Sequence, residues 1–162
     1  MTEKQQVDNE LINEPIIRWV TFYLGDEKYG INVSHVREVL RPTEIAPVPG
    51  APVFVIGIIN LRGTVVTVVD TRKRLGLPLK DIDDLSRIVI VELEGQMIGI
   101  LVDSVADVMD LKVSDIEVTP NVGDDGSGQY IKGVSKQGNE LLILVELEKL
   151  LPLQEYQPKA GL

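Results

Sequence analysis

Apolar and polar positions along this chain recur on two periods, and the changes of period divide it into short elements. Residues 1 to 15, MTEKQQVDNELINEP, carry charges and amides without a sustained apolar period and read as a frayed arm. From Arg18 to Leu24 and from Lys28 to Asn32 the pattern is strand-like, and the two segments flank a Gly25-Asp26-Glu27 turn. Val33, Val36, Val39 and Leu40 then recur at helical spacing, which predicts about two turns of helix halted by Pro42. Pro47, Pro49 and Pro52 mark a stiff irregular stretch. After it, Gly57 to Leu61 and Thr64 to Val69 enclose Arg62-Gly63, where Gly63 supplies the positive φ of a tight reverse turn. A short helix over Thr71 to Leu75 is expected, capped by Asp70 and ended by Gly76 and Pro78. Lys80 to Ser86 reads as a polar linker.

The second half repeats the first. At an offset of 69, Arg18 matches Arg87, Val20 Val89, Leu24 Leu93, Gly30 Gly99, Ile31 Ile100, Val33 Val102, Val36 Val105 and Val39 Val108. At an offset of 76 the match resumes, with Gly57 on Gly133, Val69 on Val145, Lys73 on Lys149 and Leu75 on Leu151, beside the conservative pair Phe54 and Tyr130. The added residues fall in the loop holding Gly123 to Gly128. The chain is a tandem duplication whose copies each read strand, strand, helix, strand, strand, helix, with extra short strands around Ile45 and Ile116. Such units close most readily as small barrels around an aliphatic core, and two side by side leave a groove between them. The expected fold class is mainly β, two similar small barrels in tandem with short helices.

Composition narrows the chemistry. Val and Ile supply a β-rich core while aromatics are only 4% of residues, so base-stacking or sugar-stacking platforms lose ground. Sixteen Lys+Arg against 25 Asp+Glu give a formal charge of −9, the wrong sign for nucleic acid or an anionic membrane surface. With no cysteine, disulfides, thiolate nucleophiles and Cys-ligated zinc are impossible. No apolar stretch is long enough to span a membrane, and the chain reads as soluble and unexported.

Catalytic constellations are scarce. His35 is the only histidine and reads as a helix-surface residue, with no Cys to pair with it. The Gly123 to Gly128 loop lacks phosphate-cradle spacing and fails the calcium-loop pattern. Asp81 to Asp84 reads as a solvated linker. Val68-Val69-Asp70-Thr71 superficially matches an aspartic-protease signature, but Arg72 replaces the required Gly and the second copy carries Glu146-Leu147-Glu148. A small acidic β-barrel hydrolase therefore has little to stand on, and no cofactor or metal site is expected. Arg62, by contrast, has no basic equivalent at Gly138; it is either a solvated turn residue or a recognition residue on a rigid tip.

Pro49 to Gly63, with its Gly57-Ile58-Ile59-Asn60-Leu61-Arg62-Gly63 hairpin, and Val68 to Arg72 resemble CheW-type chemotaxis coupling proteins. Leu24-Gly25 through Tyr29-Gly30, Val33 to Val39, Gly99 to Asp103 and Val105 to Val108 extend the likeness to nearly the whole chain, about residues 16 to 152. The resemblance implies one mainly β domain over 16–152 made of two five-stranded SH3-like barrels, with subdomains near 16–80 and 86–152 between which strands can be exchanged, an arm over 1–15 and a tail over 153–162. It implies a non-enzymatic cytoplasmic scaffold, recruited to receptor arrays, that links transmembrane chemoreceptors to a chemotaxis histidine kinase. An adaptor of the same fold in another kinase-linked pathway stays open.

Carried onto matching positions, the resemblance assigns the chemoreceptor hairpin tip to Val33, Val36, Glu38, Val39, Gly57, Arg62, Val102 and Val105. Such a surface is a Val-lined groove with charges at its edge, suited to the apolar face of a helical hairpin. For each valine, core packing is the competing reading. The apolar segment Ile45-Ala46-Pro47-Val48-Pro49 is the candidate for the kinase regulatory domain, through Ile45, Pro47 and Val48.

Overall fold

The long apolar runs are strands buried on both faces. In β1 (Ile16–Leu24), Ile17 and Trp19 enter a cluster with Leu111, Leu142 and Leu144, while Val20, Phe22 and Leu24 enter a second cluster with Tyr29, Ile31, Val69 and Val89. Because strand side chains alternate, one strand thus serves two cores. The computed structural model of the chain describes residues 14–118 and 127–151. The expected arm up to residue 13, most of the Gly123 to Gly128 loop and the tail from 152 lie outside the described residues.

The remaining strands are β2 (Glu27–Asn32), β3 (Val36–Leu40), β4 (Val55–Leu61), β5 (Thr64–Asp70), β6 (Arg87–Leu93), β7 (Gln96–Val102), β8 (Ser104–Lys112), β9 (Ile131–Gln137) and β10 (Glu140–Val145). They form two five-stranded sheets, β8-β1-β2-β10-β9 and β3-β6-β7-β5-β4. Each order maps onto the other through the offsets of 69 and 76, so the duplication is visible strand by strand. Each sheet combines the first hairpin of one copy with the last three strands of the other. The two contributions join on one side through parallel pairs, β2 on β10 and β5 on β7, and on the other through antiparallel pairs, β1 on β8 and β6 on β3. β6 repeats the two-faced burial of β1: Ile88 and Ile90 enter a cluster with Ile59, Val66 and Val68, while Val89, Val91 and Leu93 enter the shared one.

The fold class is the expected one, with three differences. The helix expected over Val33 to Leu40 is a 3-10 turn, Val33–His35, followed by β3, which pairs antiparallel with β6. The β-branched Val36 and Val39 lose little rotamer freedom in a strand, and the Asn32 side chain accepts the Ser34 N–H to start the turn. The units are open sheets rather than closed barrels, with β3 and β4 as the edges of one and β8 and β9 as the edges of the other. The space expected to be a groove between the units is filled by the shared cluster, which draws Phe22, Tyr29 and Ile31 from one sheet and Val69, Val91 and Ile100 from the other.

The short strands expected near Ile45 and Ile116 are single bridges, Ala46 to Ile58 and Glu117 to Val134. These bridges explain two glycines. A Cβ on Gly57 would lie 2.1 Å from the Ala46 carbonyl oxygen, and one on Gly133, its repeat equivalent, 2.7 Å from that of Glu117. The helix α1 (Thr71–Arg74) is capped by Asp70, whose carboxylate accepts the Arg72 N–H at 3.0 Å, and α2 (Leu147–Leu150) occupies the equivalent place in the second copy.

Candidate protein-binding surface on the edge strands

The β4–β5 turn is built to project a side chain. Arg62 and Gly63 both have positive φ, 50° and 86°, the combination that matches a two-residue turn to the twist of its strands. The Asn60 side chain accepts the Gly63 N–H at 2.9 Å and fixes the turn. From this tip Arg62 reaches Glu38 on β3, donating Nη1 to Oε1 at 3.2 Å and Nη2 to Oε2 at 2.5 Å. The two residues therefore act as one unit on the surface, and their charges cancel locally. The Arg62 hydrogen bonds hold the Glu38 carboxyl below the usual carboxylate range, against a smaller opposing effect of burial.

The other expected contact residues divide by burial. Val33, on the 3-10 turn, and Val39, next to Glu38 in β3, are 37% and 42% exposed. Val36 and Val105 are half-buried and pack against the shared core from edge strands β3 and β8. Val102 is 1% exposed within β7 and belongs to that core, so it offers no surface to a partner. It ends a central strand, whereas its repeat equivalent Val33 begins an exposed turn; the shared sequence position hides different burial. Gly57 is buried too, and what approaches it is the chain's own Ala46. In the Ile45 to Val48 segment, Pro47 and Val48 are exposed and Ile45 is half-buried against the core of the β3–β4 sheet.

Two side-chain contacts tie the helices to the strand junctions. Arg72 on α1 donates Nε and Nη2 to the Asp103 carboxylate at 2.8 and 2.5 Å, and both side chains are mostly buried, 14% and 12% exposed. Asp103 also accepts the Gly25 N–H at 2.7 Å. The Arg72 hydrogen bonds, helped by Gly25, hold the Asp103 carboxyl below its ordinary range despite burial. In the other copy the α2 residue equivalent to Arg72 is Glu148, and it meets His35 Nε2 at 3.0 Å. His35 thus lies on a 3-10 turn in contact with α2, not on a helix face.

The counterpart of Glu38 in the second copy is Asp107 on β8. Its carboxylate accepts the Thr21 hydroxyl at 2.6 Å and pairs with the largely buried Lys28 at 3.1 Å, which keeps its carboxyl below the ordinary range. The equivalent positions hold different partners: Glu38 reaches across to a hairpin tip, whereas Asp107 is fastened to its own sheet. Neither Thr21 nor Lys28 stands out in the sequence, since a buried lysine reads as a polar strand position. Arg74 was equally inconspicuous. Its guanidinium lies over both Phe54 and Tyr130, 4.6 and 5.1 Å from the ring centroids, and Nε donates to the Leu150 carbonyl at 2.6 Å. The one signal for it is that Phe54 and Tyr130 are repeat partners.

The family model for the CheW-like domain matches residues 18–155, nearly the whole chain. The chain belongs to the CheW-like family. Relatives include the chemotaxis protein CheW of Treponema pallidum, 34% identical over 155 residues that cover 93% of this chain and 91% of the relative. The chemotaxis protein CheW of Rhizobium meliloti is 33% identical over 136 residues, covering 84% and 88%. Among solved structures, the scaffolding protein TtCheW of Thermoanaerobacter tengcongensis is similar at a TM-score of 0.79 and 33% identity, covering 89% of this chain and 98% of that one. The CheW-like family is one of non-enzymatic scaffolds acting in chemotaxis signalling. Among the described residues there is no cluster of three metal-ligating side chains and no helix long and apolar enough to cross a membrane.

Proposed function

We propose that this chain is the adaptor that couples transmembrane chemoreceptors to a chemotaxis histidine kinase, working in the cytoplasm through two protein-binding surfaces and without turnover. The observation that carries the reading is the Arg62–Glu38 unit on an open sheet edge, in a stretch of chain that also carries the exposed Val33 and Val39, in a chain matched over residues 18–155 by the CheW-like family. A rigid, charge-compensated polar pair bordered by apolar side chains suits the apolar face of a receptor's helical hairpin tip, with Arg as the anchoring side chain.

In this reading Val33, Val36, Glu38, Val39, Arg62 and Val105 contact the receptor, while Gly57 and Val102 support that surface from within. Pro47 and Val48, with Ile45 partly beneath them, form the surface for the kinase regulatory domain. They follow β3 directly, so one strand links the two surfaces. Individual contacts in such an assembly are weak, and repeated copies in an array supply the strength. Titration of the chain with a soluble receptor hairpin and, separately, with a kinase regulatory domain tests this. Binding to both, with Arg62 variants weakening only the first and Val48 variants only the second, is expected; binding to neither contradicts the adaptor reading.

A further inference from the structure

The repeat places two pairs of side chains at equivalent positions, one in each sheet, and they differ in charge. Across β1 and β8, Arg18 stands opposite Asp110 in register, and the two form an ion pair at 2.9 Å. The equivalents at the offset of 69 are Arg87 and Arg41. The β3–β6 ladder ends at Leu40 opposite Ile88; Arg41 follows Leu40, Arg87 precedes Ile88, and the two line one depression. Where one sheet has opposite charges, the other has two cations. Two cations that line one depression repel each other, so this arrangement favours a neighbouring anionic group.

The surroundings supply no such group in full. Arg41 and Arg87 line one open depression with Pro42, Ile82, Asp83 and Asp84. The Asp83 carboxylate is committed, accepting the Leu85 N–H at 2.9 Å and pairing with Lys80 at 3.1 Å. Arg87 is steadied by donating Nη1 to the carbonyls of Asp84 and Ser86 at 2.9 and 2.7 Å. Arg41 is exposed and makes no hydrogen bond or ion pair among the described residues. The depression therefore holds two guanidinium groups against one uncommitted carboxylate, that of Asp84, with Pro42 and the half-exposed Ile82 as an apolar floor.

We propose that Arg41 and Arg87 form a docking site for the carboxylates of an acidic segment on a partner protein. Guanidinium groups bind carboxylates through paired, charge-assisted hydrogen bonds, and two neighbouring ones favour a segment with consecutive Asp or Glu over a lone acid. Ile82 and Pro42 then cover the aliphatic stem of the bound side chain. The site is separate from the Arg62–Glu38 unit and extends the recognition surface to the far end of β3.

The test titrates the full chain, with its arginine Nε–Hε signals resolved by nitrogen-15 NMR, using hexaglutamate and, as control, hexalysine. Saturable shifts of the Arg41 and Arg87 signals and of the Ile82 amide, with hexaglutamate alone, are expected. Arg41→Glu rebuilds the arrangement of Arg18 and Asp110, so it is expected to bind hexaglutamate at least roughly tenfold more weakly and yet to melt at or above the parent temperature. Arg41→Gln, which removes the cation without adding an anion, is expected to weaken binding as well. The proposal is overturned by non-saturable shifts, by equal shifts at Arg18 and Arg37, by undiminished binding in both variants, or by Arg41→Glu melting below the parent. The peptide probe involves no receptor or kinase, so its outcome is independent of the adaptor reading.

Discussion

Arg62 and Glu38 join the two edges of one sheet: the arginine sits on the turn that ends β4, the glutamate on β3, and two hydrogen bonds connect them. A cation that looked free in the sequence is half of a neutral unit. The recognition role proposed for it therefore depends on its partner, and the two residues are expected to behave as one in binding.

Arg62→Asn and Glu38→Gln test this. Asparagine tolerates the positive φ of position 62, so the turn survives while the reach to Glu38 is lost. Each variant is expected to weaken binding of a receptor hairpin roughly tenfold, and the double variant to bind no more weakly than either single one. Melting temperatures stay close to the parent. Additive losses in titration calorimetry contradict the unit, and a collapse in melting temperature makes Arg62 a structural residue.

Gly57→Ala is expected to fail through the chain itself. The new Cβ would meet the Ala46 carbonyl oxygen at 2.1 Å, backbone against backbone, and relief requires breaking the Ala46–Ile58 bridge. A loss of about 2 kcal/mol is expected by urea unfolding, with the Ala46 amide losing protection from hydrogen exchange. Gly133→Ala should act on the other sheet in the same way. A Gly57→Ala protein of unchanged stability that no longer binds would instead place a partner's backbone at this position.

The Arg72–Asp103 pair gives the fold an acid limb. Asp103 holds its proton less readily when folded than when unfolded, so the stability it supplies is complete above the unfolded pKa, about 3.9, and is lost as pH falls through the lower folded value. Urea midpoints measured from pH 7 downward should fall most steeply below about pH 4, and Asp103→Asn should flatten that limb. Arg72→Leu leaves a mostly buried carboxylate with only the Gly25 N–H and the Lys80 ammonium, 3.8 Å away, and is expected to cost about 3 kcal/mol at pH 7. Identical acid limbs in parent and Asp103→Asn contradict this role.

Two valines that match in the repeat should separate in the test tube. Val102→Ala opens a cavity in the shared core and is expected to lower stability by about 2 kcal/mol, with receptor affinity changing little once the protein is folded. Val33→Ala, at an exposed turn, should weaken receptor binding with the melting temperature held. The reverse pattern contradicts the division between surface and support.

Much of this organisation is legible in the residues. The offsets of 69 and 76 predict which strands are equivalent, and the Asp70 cap, the Gly63 turn and the mainly β class follow from local chemistry. The period of Val33, Val36 and Val39 misleads because a 3-10 turn followed by a bulged strand also spaces residues by three; the register shift between Val36 and Glu38 is such a bulge. The exchange of strands between copies is not readable from local pattern, since β2 pairs as readily with β10 as with any other apolar strand. The charge pairs are hidden for the same reason. Glu38 and Arg62, Arg72 and Asp103, and Lys28 and Asp107 meet only after distant strands assemble, and nothing in their own segments names the partner.

The central claim is that the chain makes a kinase answer to receptors, and phosphorylation measures it most directly. Membranes carrying chemoreceptors are mixed with the histidine kinase, with and without this chain, and kinase autophosphorylation is followed as attractant is added. Receptor-dependent activity, suppressed by attractant, is predicted only when the chain is present, and is predicted to be reduced by Arg62→Asn. Kinase activity that is the same with and without the chain, at every attractant concentration, would contradict the account.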